Sequence, residues 1–239
     1  MTPVGLPAGT RACLFDLDGV LTRTATVHAA AWKDLFDGYL SERARATGEP
    51  FVPFDPVEDY DRYVDGRPRA DGTREFLASR GVHLDENEVR ELGDRKNALV
   101  LRRLRHDGVD AYEGSVRYVH AVRAAGLRTA VVSASTNCRA VLAAAGIAEL
   151  FDARIDGVVT TRRGLAGKPA PDTYLEAARE LGVPAGEAAV FEDALAGVRA
   201  GRAGAFGYVV GVDRVGQAAD LRAAGADVVV TDLADLLPS

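Results

Sequence analysis

Three short apolar runs in this chain end directly in acidic or hydroxyl residues, and helical patterns fill the intervals between such runs. Ala12 to Phe15 runs into Asp16, Thr129 to Val132 into Ser133, and Ala188 to Phe191 into Glu192 and Asp193. Strands alternating with helices predict an α/β fold built on a parallel sheet. Weaker strands are expected at Ala153 to Ile155, Phe206 to Val210 and Asp227 to Val230. Helices are expected at Ser115 to Ala125, Arg139 to Ala145, Asp172 to Leu181 and Ala194 to Ala200.

The alternation breaks between Thr26 and Asp107. That stretch carries no convincing buried strand and reads as helices over Val27 to Tyr39, Asp71 to Arg80 and Glu86 to Arg105, with a proline-bearing loop from Thr47 to Pro56. A region of this length between the first two strands is most simply an inserted helical domain. The sequence therefore predicts a core from residues 1–25 and 108–239 and an insert from 26–107. The linkers are expected at Leu21 to Ala25 and Asp107 to Tyr112.

Composition narrows the function. The formal charge of −6 argues against a nucleic-acid partner. An anionic substrate must then be drawn in by local groups. No apolar stretch approaches the ~18 residues of a membrane span, and the start of the chain lacks the pattern of a signal peptide. Two cysteines, Cys13 and Cys138, suggest no disulfide framework, so a reducing cytoplasm is expected. Only three of the 29 basic residues are lysines, at positions 33, 96 and 168, which singles them out in a chain that favours arginine.

Four segments carry candidate chemistry. Asp16-Leu17-Asp18-Gly19 sets two acids just after a buried strand, where they repel unless a cation is near; ligands bind at the carboxyl ends of such strands. Ser133-Ala134-Ser135-Thr136-Asn137 can hold a phosphate with hydroxyls and N–H groups at a helix start. Lys168, before Pro169 and Pro171, can neutralise developing negative charge. Glu192-Asp193 suits a hard divalent cation such as magnesium. Each segment alone is also readable as an ordinary turn, helix cap or exposed lysine. The four in this order are much harder to read that way.

These motifs resemble the haloacid dehalogenase superfamily of aspartate-nucleophile phosphotransferases, from about Arg11 to Leu237, and within it the β-phosphoglucomutase group. The spacing of Thr24, His28 and Trp32 is similar to that group, as are Ser133-Ala134-Ser135 with Asn137, Arg95-Lys96-Asn97, and Gly66 to Arg69 as a substrate-reading loop. Asp65 stands where the group often has lysine, Arg23 where it often has an acid, and Asp37 to Tyr60 is elaborated.

The resemblance implies a Rossmann-like core with a helical cap and a magnesium ion held by Asp16, Asp18 (through its carbonyl), Glu192 and Asp193. It implies Asp16 as nucleophile and Asp18 as general acid and base. Ser133, Ala134, Ser135, Asn137 and Lys168 would bind the phosphoryl group; Thr24, His28, Trp32, Arg69 and Lys96 would serve the substrate from the insert. The implied reaction interconverts β-glucose 1-phosphate and glucose 6-phosphate, with glucose 1,6-bisphosphate as activator or intermediate. The implied partner is a small sugar phosphate, with no membrane or nucleic-acid partner, and the protein is expected to be a cytoplasmic monomer. The alternatives are a sugar-phosphate phosphatase with the same core and a non-catalytic phosphosugar-binding protein.

Overall fold

The computed structural model describes residues 4–238. The chain forms two compact units, Met1–Arg23 with Val109–Ser239, and Thr24–Gly108.

The first unit is a six-stranded parallel sheet. Its strands are β1 (Ala12–Phe15), β2 (Arg128–Val132), β3 (Ala153–Ile155), β4 (Ala188–Glu192), β5 (Tyr208–Val212) and β6 (Val228–Val230). Their spatial order is β3-β2-β1-β4-β5-β6. The order reverses between β1 and β4, the switch point where open α/β sheets leave a crevice for ligands. Register decides what meets there. Phe15 pairs with both Val131 and Phe191, so Asp16, Ser133 and Glu192 emerge at one end of three adjacent strands.

The middle strands are buried on both faces. One side of the sheet packs Leu14, Val132, Tyr174, Ala177, Leu181, Val190 and Phe206 into a common core. On Phe15 and Phe191 the rings stack, with centroids 4.5 Å apart, and Tyr118 meets Phe191 at 5.4 Å. Burying such side chains contributes about 1.5–3 kcal/mol each.

The second unit is helical: α1 (Ala25–Thr47), α2 (Arg69–Ser79) and α3 (Glu86–Asp107), with a π-helical turn at Tyr60–Val64. Asp85 starts α3 by accepting from Asn87 and Glu88 N–H while Glu88 reaches back to the Asp85 N–H, a reciprocal cap that satisfies otherwise orphaned donors. The unit has its own core, in which Phe36, Phe54 and Phe76 pack ring on ring with centroids 4.2–5.3 Å apart. No helix among the described residues is long and apolar enough to cross a membrane.

The remaining helices belong to the sheet unit: α4 (Glu113–Ala124), α5 (Cys138–Ala144), α6 (Gly157–Arg163), α7 (Asp172–Leu181), α8 (Leu195–Ala203) and α9 (Ala218–Ala224). Two sequence expectations are corrected, and one helix is new. Helix α1 runs on to Thr47, because the polar segment after Leu40 keeps helical propensity until Gly48 turns left-handed at φ 76. Strand β5 begins at Tyr208 instead of Phe206. Ala205 takes a φ of 53, and Phe206 is buried in the loop before the strand. Helix α6 was not anticipated; Asp156 caps it by accepting from Val158 and Val159 N–H.

Candidate active site

Lys168 lies at the centre of the strand-end cluster. It precedes a cis peptide to Pro169, and the residue is 3 % exposed. It donates to Asp16 Oδ1, to Glu192 Oε1 and, at 3.3 Å, to the Val132 carbonyl. Asp16 is 6 % and Glu192 0 % exposed. Burial pushes the Asp16 carboxyl well above the usual range, against the opposing pull of Lys168. Burial works to lower the Lys168 pKa, and the charges of Asp16 and Glu192 hold it above its ordinary value.

Glu192 is fixed from three sides. Besides Lys168, Tyr174 donates its hydroxyl to Oε1 at 2.9 Å, and Ala194 N–H donates to Oε2 at 3.0 Å. Both carboxylate oxygens therefore already accept protein donors. A Cβ at Gly197 would overlap this carboxylate, so the first turn of α8 must be bare there.

Asp193, 8 % exposed, is the third acid. Asp16, Glu192 and Asp193 each present an oxygen within 4.8 Å of the others. Three buried carboxylates face one ammonium, a surplus of negative charge that a divalent cation offsets. All-oxygen donors suit a hard cation of the magnesium class. Space is reserved on the Asp193 side, since a side chain at Gly19 would overlap its carboxylate and Gly19 takes a φ of 86.

The loop after β1 is tightly closed. Gly19 N–H donates to Thr22 O at 2.8 Å, and Leu21 and Thr22 N–H both reach Leu17 O at 2.9 Å. Asp18 is half-buried on this loop.

At the end of β2, Ser133 N–H is taken by the Ile155 carbonyl at 2.9 Å, while its Oγ accepts from Ser135 N–H at 3.1 Å. The Ser133 hydroxyl proton thus remains the group it can offer outward, while its backbone N–H is committed to the last carbonyl of β3. Ser135 Oγ accepts from Asn137 N–H at 3.1 Å. The Ala134 carbonyl runs so close to Gly157 that a Cβ there would sit 2.6 Å from it.

The insert residues form a cluster within their own unit. Lys96, 5 % exposed, places its ammonium 2.9 Å from His28 Nδ1 and 4.8 Å from the centre of the Trp32 ring. The ammonium donates, so Nδ1 is the acceptor and the His28 proton is on Nε2. Trp32 stacks on Phe36 at 4.9 Å. Thr24 is buried at the start of α1. Arg69, half-buried, donates to the Gly93 carbonyl at 2.6 Å, and burial lowers its pKa. It is thereby tied to α3 in place of standing free.

Sequence reasoning missed Tyr174 and Gly197. Tyr174 sits at a core-facing position of α7, where its apolar ring explains it without its hydroxyl. Gly197 is one small residue in an Ala/Gly-rich helix.

A family model for haloacid dehalogenase-like hydrolases matches residues 10–204. The chain is 56% identical to the β-phosphoglucomutase of Mycobacterium tuberculosis over 98% of its own length and 94% of that protein. It is 30% identical to the β-phosphoglucomutase of Bacillus subtilis, covering 95% and 91% of the two chains. Among solved structures, the β-phosphoglucomutase of Clostridium difficile superposes with a TM-score of 0.77 at 26% identity, over 95% of this chain and 93% of that one.

Proposed function

The chain belongs to the haloacid dehalogenase-like hydrolase family, and on that premise we propose that it is a phosphoryl-transfer enzyme of the β-phosphoglucomutase type. The observation that carries this reading is Lys168 bridging Asp16 and Glu192 beside Asp193, at the switch point of the sheet. The 56% identity to a mycobacterial β-phosphoglucomutase points to the same reaction.

Asp16 is the nucleophile. Its carboxylate oxygen bonds to phosphorus while the bond from phosphorus to the sugar oxygen breaks, leaving an aspartyl-phosphate. Asp18 gives the leaving oxygen its proton and later takes one from the attacking hydroxyl, a role worth about 10²–10⁴-fold. Lys168 favours the ionised form of Asp16 against the burial that opposes it, aims the carboxylate, and balances charge as the dianionic phosphoryl group arrives. The Ser133 hydroxyl and the Ala134 N–H hold phosphoryl oxygens, with Ser135 and Asn137 shaping that loop.

Asp16, Asp193 and the Asp18 carbonyl are the groups to hold magnesium; Glu192 reaches it only by sharing an oxygen that already accepts Lys168, Tyr174 or Ala194. When bound, the cation supplies charge neutralisation between carboxylate and phosphate. In the helical unit, Lys96, oriented by His28 and Trp32, serves the phosphate that is not being transferred. Arg69 and Thr24 support this end of the substrate, and glucose 1,6-bisphosphate is the activator.

The test is to supply Mg²⁺ and β-glucose 1-phosphate, with and without a trace of glucose 1,6-bisphosphate, and to follow glucose 6-phosphate and free phosphate together. Isomer formation stimulated by the bisphosphate is expected. Release of phosphate without isomer would make the protein a phosphatase, and binding without turnover a phosphosugar-binding protein.

A further inference from the structure

The loop that carries Asp18 takes up its own Gly19, Leu21 and Thr22 N–H groups, but two of its carbonyls accept from a residue far along the chain. Arg214 Nε donates to Gly19 O at 2.8 Å, and its Nη2 lies 3.4 Å from Val20 O. The Val20 carbonyl also accepts from Ser115 Oγ at 2.7 Å. The remaining arm of the same guanidinium donates to Thr231 O at 2.7 Å, just past β6. One side chain, two residues beyond the end of β5, thus pins the first loop to the ends of two further strands.

Its flat face is also used. The Arg214 guanidinium carbon lies 3.6 Å from the centre of the Tyr112 ring, and that of Arg23 lies 4.4 Å from the same centre. Tyr112 N–H donates to Leu21 O at 2.9 Å, and Arg23 N–H to Asp110 O at 2.8 Å. The two segments by which the chain leaves and re-enters the sheet unit are therefore paired, with Arg214 stacked on them.

The segment bearing Arg214 is itself held. Asp213 Oδ1 accepts from Val215, Gly216 and Gln217 N–H, at 3.2, 2.7 and 2.9 Å. From its far end, Gln217 Nε2 donates to the Asp193 carbonyl at 3.0 Å. One short loop therefore touches the backbone of both the Asp18 loop and Asp193.

We infer that Arg214 is a positioning residue, which holds the Gly19–Val20 turn so that Asp18 stays within reach of the proton it transfers. The inference rests on the assignment of Asp18 as general acid and base. A planar fork suits it, because three divergent carbonyls and an aromatic face are engaged at once, which a lysine ammonium cannot do.

The role can be separated from a merely structural one by leaving-group chemistry. A sugar alkoxide leaves only with a proton, whereas acetate, departing from acetyl phosphate, needs none. In single-turnover experiments with Mg²⁺, the rate of Asp16 phosphorylation is measured with glucose 1,6-bisphosphate and with acetyl phosphate as donors, for the wild-type chain, Arg214→Gln, Arg214→Lys, Tyr112→Leu and Asp18→Asn. The readout is the ratio of the two rates.

Arg214→Gln should shift that ratio against the sugar donor by about 10- to 100-fold, the scale of a small misplacement of a reacting group. Arg214→Lys should restore little of it, and Tyr112→Leu, which keeps every donor on Arg214, should shift it less in the same direction. Asp18→Asn should shift it at least as far as Arg214→Gln. If Asp18→Asn moves the ratio and the folded Arg214 and Tyr112 variants do not, the inference about Arg214 is overturned alone. If Asp18→Asn leaves the ratio unmoved, the acid–base assignment falls and the inference falls with it. A wild-type chain that takes no phosphoryl group from either donor would contradict Asp16 as nucleophile.

Discussion

Phe15 lies directly opposite Phe191 in the sheet, their rings stacked at 4.5 Å, and the next residue on each strand is an acid. That pairing brings Asp16 and Glu192 together, and Lys168 bonds to both. The chemistry is thus positioned by register and by an aromatic pair that contains no reactive group.

Lys168 is expected to be needed for folding as well as turnover. Lys168→Met removes the ammonium that bonds both the Asp16 and Glu192 carboxylates, and stranding buried charge of this kind costs on the order of 3–5 kcal/mol. Urea unfolding in the presence of a chelator measures the loss. A change below about 1 kcal/mol would mean that the two acids are already neutral or hydrated.

Gly197→Ala adds one methyl group and is expected to disable the site. The new Cβ would overlap the Glu192 carboxylate, which must then leave Lys168, Tyr174 or Ala194. Turnover should fall at least about 10-fold, the scale of a misplaced group. Gly186→Ala, where an added Cβ meets nothing within 4 Å, serves as the control and should leave turnover unchanged. Equal rates for the two variants would show that Glu192 is not held as described.

The site was legible in the sequence where chemistry coincides with a strand end. Asp16, Ser133, Glu192 and Asp193 each close an apolar run, so the pattern exposes them. Lys168 stood out through lysine scarcity and neighbouring prolines. What holds them was not legible. Tyr174 reads as one more core residue of α7 beside Ala177, Ala178 and Leu181, and only the folded sheet brings its hydroxyl to Glu192. Arg214 is one arginine among many, and its contacts with Gly19, Val20 and Ser115 lie more than ninety residues away in sequence. The apolar pattern starts β5 at Phe206 because that residue is buried without being in a strand, and pattern alone does not separate the two.

The helical unit should lose stability through its aromatic core. Phe76 is 0 % exposed and packs against Phe36, Phe54 and Tyr63, with Arg80 stacked on it at 4.9 Å. Phe76→Ala is expected to cost about 3–5 kcal/mol, as for large cavities in packed cores. Hydrogen exchange of α1–α3 amides reads it: their protection should drop while that of β1 and β4 persists. Uniform loss across both units would show that they unfold as one.

The most direct test of the account is to look for the covalent intermediate. The protein is mixed with Mg²⁺ and glucose 1,6-bisphosphate, quenched in acid and mapped by peptide mass spectrometry. The account predicts a phosphoryl group on Asp16, absent when Mg²⁺ is chelated and absent in Asp16→Asn. Turnover with Asp16 unmodified, or a phosphoryl group carried by any other residue, would contradict it.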